Sequence, residues 1–229
     1  MTAIVKRIVR ETPRVMTVVV DLEKPISFKT GQCMRWNAPD KKAGRLFSVA
    51  SPGGENRKEL WFTMRVFPEG IISSHIPQLK VGDTVTLQGP YGKFIFDDTD
   101  TRDIVLVAGG SGISVLRSIL RHVIDNKLPN KIHLLFSVLS KDEIIYREEL
   151  AELATKHPNF TYTVTVTDDF SGWPGRCGRI NRKTFNELFG GYQQTFYICG
   201  PPAFMDCAIQ LLKEAGVPQE RIRIDRWVF

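Results

Sequence analysis

The chain has 229 residues, 42% of them hydrophobic and 24% charged, a balance that allows a buried core and excludes an intrinsically disordered chain. No segment approaches ~18 consecutive apolar residues, which speaks against a membrane span. Net charge is +6, but the 31 Lys and Arg are spread along the whole chain with no run of five, so a mixed solvated surface is expected rather than a nucleic-acid groove.

The first hundred residues read as strands. Ile4-Val5-Lys6-Arg7-Ile8-Val9 and Met16-Thr17-Val18-Val19-Val20 are short, β-branched and separated by Pro13. Leu60-Trp61-Phe62-Thr63-Met64-Arg65-Val66 and Thr84-Val85-Thr86-Leu87 add two more, with turn residues at Pro52-Gly53-Gly54 and Val81-Gly82-Asp83 between them. Such spacing predicts an antiparallel barrel or sandwich. After about residue 100 the period changes. Ile104-Val105-Leu106-Val107-Ala108 is continuously apolar and stops at Gly109-Gly110-Ser111-Gly112. Ile113, Leu116, Ile119, Leu120 and Val123 then recur at helical spacing. A strand over Ile132–Val138, a helix from Tyr146 to Lys156, a strand over Tyr162–Val166, a helix over Lys183–Phe189, a strand over Phe196–Cys199 and a helix from Ala203 to Ala215 complete the chain. Apolar strands alternating with amphipathic helices predict an α/β doubly wound parallel sheet. The boundary is placed in Asp97-Asp98-Thr99-Asp100, giving domains 1–98 and 99–229.

The cysteines, Cys33, Cys177, Cys199 and Cys207, form neither the CxxC pairs of a zinc site nor the CxxxxCxxC run of an iron–sulfur cluster. His75, His122, His133 and His157 never pair at HxH or HExxH spacing. Reduced thiols and no metal are the expectation. Met1-Thr2-Ala3-Ile4-Val5-Lys6-Arg7 lacks the apolar stretch of a secretory signal, so a cytoplasmic protein is expected.

Four segments carry chemistry. Val107-Ala108-Gly109-Gly110-Ser111-Gly112-Ile113 is a strand ending in glycines that open a helix, which lets a pyrophosphate approach the backbone at the positive helix end; a plain strand-to-helix turn reads the same way. Cys199-Gly200-Pro201-Pro202 ends a second apolar strand, where open parallel sheets bind ligands, although a buried inert thiol is the commoner outcome for one cysteine. In Arg45-Leu46-Phe47-Ser48 alternation puts Arg45 and Phe47 on one face, Leu46 and Ser48 on the other. Gly70-Ile71-Ile72-Ser73-Ser74-His75-Ile76 reads as a glycine-started helix whose amides and serine can hold phosphate, or as an ordinary N-cap at Ser73.

Taken in order, Phe28-Lys29-Thr30-Gly31-Gln32, Arg45-Leu46-Phe47-Ser48, Gly70-Ile71-Ile72-Ser73, Gly82-Asp83-Thr84-Val85 with Gly89-Pro90-Tyr91-Gly92, the glycine turn and Cys199-Gly200-Pro201-Pro202 make the whole chain resemble the ferredoxin–NADP reductase superfamily. The resemblance is strongest to the FAD/NAD(P)-binding reductase part of bacterial oxygenase reductases. It implies a six-stranded antiparallel β-barrel flavin domain before the nicotinamide domain, bound FAD, and NADPH or NADH as substrate. It further implies that Arg45 pairs with the flavin pyrophosphate, that Phe47 stands where a tyrosine usually stacks on the flavin, and that the Ser48 hydroxyl approaches flavin N5. On the same ground Gly70, Ile71, Ile72 and Ser73 hold the flavin phosphates, and Met64, Arg65 and Phe67 line the flavin. Cys199, with Gly200 and Pro201, lies beside the nicotinamide, and Asp225-Arg226-Trp227 brings an acid and an aromatic ring to the flavin face. Ser140, Lys141, Tyr146 and Arg147 stand where relatives bind a 2′-phosphate, or on an ordinary solvated loop and helix start.

Three departures from the pattern matter. Phe47 lacks the tyrosine hydroxyl, a loss of about 0.5–1.5 kcal/mol of hydrogen bonding to flavin. Ser114-Val115 replaces the usual residue–proline, and Val228-Phe229 extends beyond Trp227, so either Trp227 or Phe229 stacks. The expected function is electron transfer from NAD(P)H through FAD to a separate acceptor, such as an acidic ferredoxin-like protein or an oxygenase component. The alternatives are a reductase that uses free flavin as substrate and a non-catalytic dinucleotide-binding subunit.

Overall fold

The structure, a computed structural model, describes residues 1–38 and 43–226. The chain divides into two units, Met1–Phe96 with Arg117–Asp125, and Asp97–Leu116 with Asn126–Phe229.

The first unit is an antiparallel sheet of six strands: β1 (Thr2–Thr12), β2 (Val15–Phe28), β3 (Cys33–Asn37), β4 (Gly44–Ser48), β5 (Gly54–Arg65) and β6 (Thr84–Tyr91), in the order β4-β3-β6-β1-β2-β5. Beyond the end of β4, the Ala50 amide donates to the Trp61 carbonyl of β5 at 2.8 Å, joining the two edges of the sheet. Alternation sets the inside. Ala3 and Val5 are buried while Thr2 and Ile4 are exposed, so one face of β1 meets the core. Val18, Val20, Leu60, Phe62, Met34 and Leu87 fill that core, with Trp36 set edge-on to Phe62 at 5.2 Å. β2 is buried on both faces from Val15 to Val20, and there the Thr17 and Thr63 hydroxyls satisfy one another at 2.7 Å.

The expected helix after Gly70 is corrected. The chain turns through Gly70–Ile72 and forms a 3₁₀ helix at Ser73–Gln78. Pro77 lies inside it and has no amide with which to continue an α-helical ladder. Ser73 is not its N-cap; that position is Ile72.

The second unit runs β7 (Ile104–Gly109), α1 (Ile113–Asp125), β8 (Ile132–Ser140), α2 (Arg147–Lys156), β9 (Phe160–Asp169), β10 (Arg176–Cys177), α3 (Arg182–Phe189), β11 (Thr195–Cys199), α4 (Pro202–Glu214) and β12 (Ile222–Ile224). Residues 117–125 of α1 belong to the first unit. The parallel sheet has the order β10-β9-β8-β7-β11-β12. β7 and β11 are buried along their whole length, as their unbroken apolar runs predict for strands covered on both faces. Phe185 and Phe189 of α3 and Met205, Ala208 and Leu212 of α4 close over Val105, Val107, Phe196 and Ile198. Each fully buried phenylalanine contributes about 1.5–3 kcal/mol, so this aromatic layer outweighs any single surface ion pair of about 0–1 kcal/mol. The chain steps outward from β7 to β10 and then returns to β11 on the other side of β7. The strand order therefore reverses between β7 and β11, the place where sheets of this class bind ligands.

One half-buried polar cluster sets a pH dependence. His133 on β8 meets the Thr161 and Thr163 hydroxyls of β9 at 2.8 and 3.1 Å, with Phe189 5.6 Å away. Burial holds its imidazole below the ordinary range. Because the folded pKa is depressed, the unfolded chain takes up the proton first. The stability due to the neutral ring is present above about pH 6.5 and declines as pH falls below it. The melting temperature should therefore drop between about pH 7.5 and about pH 5.5, and drop less in His133→Gln. Equal drops in calorimetry would remove His133 from the account.

Candidate functional site

In the first unit, β4 pairs with β3 so that Trp36 faces Arg45, Met34 faces Phe47 and Cys33 faces Ser48. Arg45 and Phe47 share one face, Leu46 and Ser48 the other. The Arg45 side chain and Leu46 are exposed, Phe47 is half-buried and leans on the core, and Ser48 is buried. At the end of β5, Met64 lies wholly inside the core, whereas Arg65 is half-buried with its guanidinium 5.6 Å from the exposed Phe67 ring.

The Gly70–Ser73 turn is closed by serine hydroxyls on its own backbone. The Phe67 amide donates to Ser73 Oγ at 3.2 Å, and the Ser74 hydroxyl donates to the Gly70 carbonyl at 2.5 Å. A Cβ on Gly70 would stand 2.1 Å from Ser73 Oγ, so glycine is required for this closure. Ile71 is exposed on the turn and Ile72 is buried beneath it. The buried Ser73 hydroxyl braces the turn from inside; what the turn presents outward is backbone and Ile71.

In the second unit, β7 and β11 are neighbours paired from Thr195 opposite Ile104 to Cys199 opposite Ala108, so both strands end at one level. A short 3₁₀ turn, Gly110–Gly112, joins β7 to α1. A Cβ on Gly112 would lie 2.4 Å from the Cys199 carbonyl oxygen, and one on Gly200 would lie 3.0 Å from Gly109 Cα. The two glycine-bearing strand ends predicted from sequence are thus packed against each other. Gly110, at φ +51°, has open space in the direction of a Cβ. Ser111 is half-exposed, Ile113 is buried, and the buried Ser114 hydroxyl has no hydrogen-bond partner among the described residues. Both features suit a turn that receives a phosphate-bearing ligand at a helix start.

Cys199 is buried, with its thiol 3.8 Å from Asp225 Oδ2, and the Asp225 amide donates to the Ile198 carbonyl at 3.0 Å. β12, parallel to β11, delivers Asp225 to this position. Pro201 is exposed just before α4. Trp227 and Phe229 lie outside the described residues.

Ser140 ends β8 and Lys141 follows it, and Arg147 opens α2 after Tyr146, which is buried in a left-handed conformation. Arg147 Nη2 donates to the Lys141 carbonyl, so these two cations stand at one corner. Sequence reading missed a third member. Asp169, opposite Ser140 across the β8–β9 pairing, has its carboxyl held below the ordinary range by the Ser171 amide and hydroxyl and then by the Lys141 charge. A Cβ on Gly172 would come within 3.0 Å of Lys141 Nζ, which places the turn after Asp169 beside that ammonium. Strand pairing is the signal that joins them, and it is invisible along the chain.

Among the described residues no helix is long and apolar enough to cross a membrane, and no three His, Cys, Asp or Glu gather in a group able to hold a metal ion.

Two family models cover most of the sequence: the oxidoreductase FAD-binding domain matches residues 3–96, and the oxidoreductase NAD-binding domain matches residues 106–210. The reductase component DmpP of phenol 2-monooxygenase from Pseudomonas sp. (strain CF600) is 32% identical over 230 residues, covering 98% of this chain and 64% of that protein. The chain therefore spans somewhat less than two thirds of that relative. Amycolatopsis cytochrome P450 reductase GcoB superposes with a TM-score of 0.87 at 26% identity, over 98% of this chain and 68% of that one. A ferredoxin NADP+ reductase from Neisseria gonorrhoeae with bound FAD and NADP shares the fold, with a TM-score of 0.82 at 21% identity, over 98% of this chain and 96% of that one. Sheet topology, glycine-bearing strand ends and both matched domains define a two-domain oxidoreductase with one FAD-binding and one NAD-binding part. The chain carries oxidoreductase FAD-binding and NAD-binding domains joined in a ferredoxin reductase-like fold.

The close approach at Gly112 can be tested directly. Gly112→Ala forces a methyl against the Cys199 carbonyl, and either the turn or the end of β11 must move. Urea unfolding should show a loss of about 1–3 kcal/mol; unchanged stability would mean that the strand ends are not packed this closely.

Proposed function

We propose that the chain is an NAD(P)H-dependent reductase that holds FAD in its first unit, receives reducing equivalents from NADPH or NADH bound by its second, and passes electrons to a separate acceptor such as an acidic ferredoxin-like protein or an oxygenase component. The carrying observation is the pair of strand ends at the β7–β11 reversal, with Gly112 packed on the Cys199 carbonyl and Cys199 beside Asp225. The partnership has its support in relatives named as the reductase component of a phenol monooxygenase and as a cytochrome P450 reductase. When bound, flavin supplies the chemistry: it accepts a hydride from the nicotinamide and gives electrons up singly.

The protein's own part is to bind and orient. The exposed Arg45 guanidinium and the backbone of the Gly70–Ser73 turn would hold the flavin phosphates, while Arg65, Phe67 and the β4 edge with Leu46, Phe47 and Ser48 would frame the ring. Met64 would support this edge from within the core. The Gly109–Ile113 turn would receive the dinucleotide pyrophosphate, and Cys199, Gly200 and Pro201 would border the nicotinamide, with Asp225 positioning the thiol. Trp227 or Phe229 remains the proposed aromatic cover.

A second reading, a reductase of free flavin, is favoured by one observation. Phe47 leans on the core and brings no hydroxyl to the flavin. The purified chain decides between the readings. About one FAD per chain, identified by chromatography after denaturation, with steady dye reduction by NADPH or NADH, is the expected result. Colourless protein that turns over added flavin would establish the second reading. A flavin-bound chain without turnover would point to a non-catalytic electron-transfer subunit.

Both nicotinamides should be accepted, NADPH at least as well as NADH, because Lys141 and Arg147 stand at one corner while Asp169 draws on part of the Lys141 charge. Charge reversal at both cations should raise the Michaelis constant for NADPH about tenfold or more, a charge-assisted contact being worth about 1.5–3 kcal/mol, and change that for NADH little. Equal losses would assign the two residues to the solvated surface.

A further inference from the structure

We propose that Arg117, on α1, is a positioning residue for the Ser48–Ser51 edge of the flavin-binding unit. The inference rests on the reading above, in which the end of β4 meets the flavin. Arg117 is buried, and its Nη1 donates to the Ala50 carbonyl at 2.9 Å. The same guanidinium lies 4.3 Å from the Trp61 ring centroid. Ala50 is therefore fixed on both sides of its Cα: its amide donates to the Trp61 carbonyl at 2.8 Å, and its carbonyl accepts from Arg117. The Trp61 amide in turn donates to Ser51 Oγ at 3.2 Å. These three hydrogen bonds meet the chain at Ala50 and Ser51, two and three residues after Ser48.

Trp61 is itself braced. Its Nε1 donates to Glu59 at 2.7 Å, Glu59 accepts from Lys6 at 2.6 Å, and Arg7 lies 4.7 Å from the ring centroid. One turn and a residue further along α1, His122 shares a 2.8 Å hydrogen bond with Thr30 Oγ1, which also accepts the Gly53 amide at 2.9 Å. The segment 49–53 is thus held from α1 at its start and its end.

A guanidinium stays charged at any working pH and is costly to bury, so filling space does not explain it; a methionine of similar length would pack there without that cost. What guanidinium adds is direction. A donor aimed at one carbonyl fixes the rotation of the segment, which apolar packing does not.

The test uses the full chain with Arg117→Met and Arg117→Lys, read by amide hydrogen exchange and by titrating flavin-stripped protein with FAD while following quenching of flavin fluorescence. Arg117→Met should speed exchange at residues 49–53, sparing the other strands of the first unit. It should weaken FAD binding by about tenfold to a hundredfold, as expected for losing a hydrogen bond to a charged donor. Arg117→Lys, which keeps charge and stem but not the planar fork, should recover part of both while remaining at least about threefold weaker than wild type. Wild-type exchange at 49–53 and wild-type FAD affinity in Arg117→Met overturn the proposal, as does faster exchange spread evenly over the whole unit. If the methionine variant does not fold, wild-type FAD affinity in Arg117→Lys overturns it. Ser48→Ala separates this from the underlying reading. If that variant leaves the rate of flavin reduction unchanged in rapid mixing, the β4 edge does not meet the flavin and the proposal falls with that reading. If it slows reduction while Arg117→Met is silent, the proposal alone falls.

Discussion

The ligand end of the second unit depends on one backbone approach, the glycine turn after β7 resting on the carbonyl of Cys199. Any side chain at Gly112 would occupy the space of that oxygen, and the Gly109–Gly200 contact repeats the constraint one step along. Because β7 and β11 end level, the loops leaving them converge, and α1 and α4 both start within a few residues of the convergence. Each helix start exposes amides that the helix itself does not satisfy. Position in the sheet matters as much as the glycines: only between β7 and β11 do the connections depart in opposite directions and leave a crevice.

The parts legible from sequence were those whose signal is local. β7, β8 and β11 were readable because each is dominated by a nearly continuous apolar run, as strands covered on both faces are. Other elements owe their form to partners. β5 begins at Gly54, well before the apolar run at Leu60, because β2 continues past its own core residues and pairs with the polar stretch as far as Gly54. β12 has only three residues and exists by pairing with β11, yet it carries Asp225 to Cys199. The turn at Gly70 was misread as a helix start because glycine and serine before an apolar residue suit both. The structure uses the serine inward, with Ser73 taking the Phe67 amide.

Charge at the β8–β9 corner shows how tertiary structure edits a motif. Along the chain, Ser140, Lys141, Tyr146 and Arg147 read as a 2′-phosphate position or as an ordinary solvated loop and helix start. In the fold, cross-strand pairing sets Asp169 opposite Ser140, and Arg147 spends a donor on the Lys141 backbone. Lys141 thus answers to two electrostatic environments, a carboxylate from its neighbour strand and whatever anion approaches from solvent. Asp169 is exposed, so its influence is screened and graded rather than all-or-none. Under the proposed function, a corner built this way would moderate discrimination between phosphorylated and unphosphorylated ribose.

The same distinction between apolar packing and directed polar contact runs through α1. Its residues Ile113, Leu116, Ile119, Leu120 and Val123 are buried and give the helix its place, but an apolar stripe tolerates small rotations about the helix axis at little cost. Hydrogen bonds do not. Arg117 to the Ala50 carbonyl and His122 to Thr30 lie five residues apart on the helix and end on two different loops, β4–β5 and β2–β3, so a rotation that keeps one breaks the other. The net contribution of such bonds to stability is modest, about 0.5–1.5 kcal/mol each and more where the donor is charged. Their effect on geometry is larger than on stability. They select one helix rotation among several that the hydrophobic core would accept.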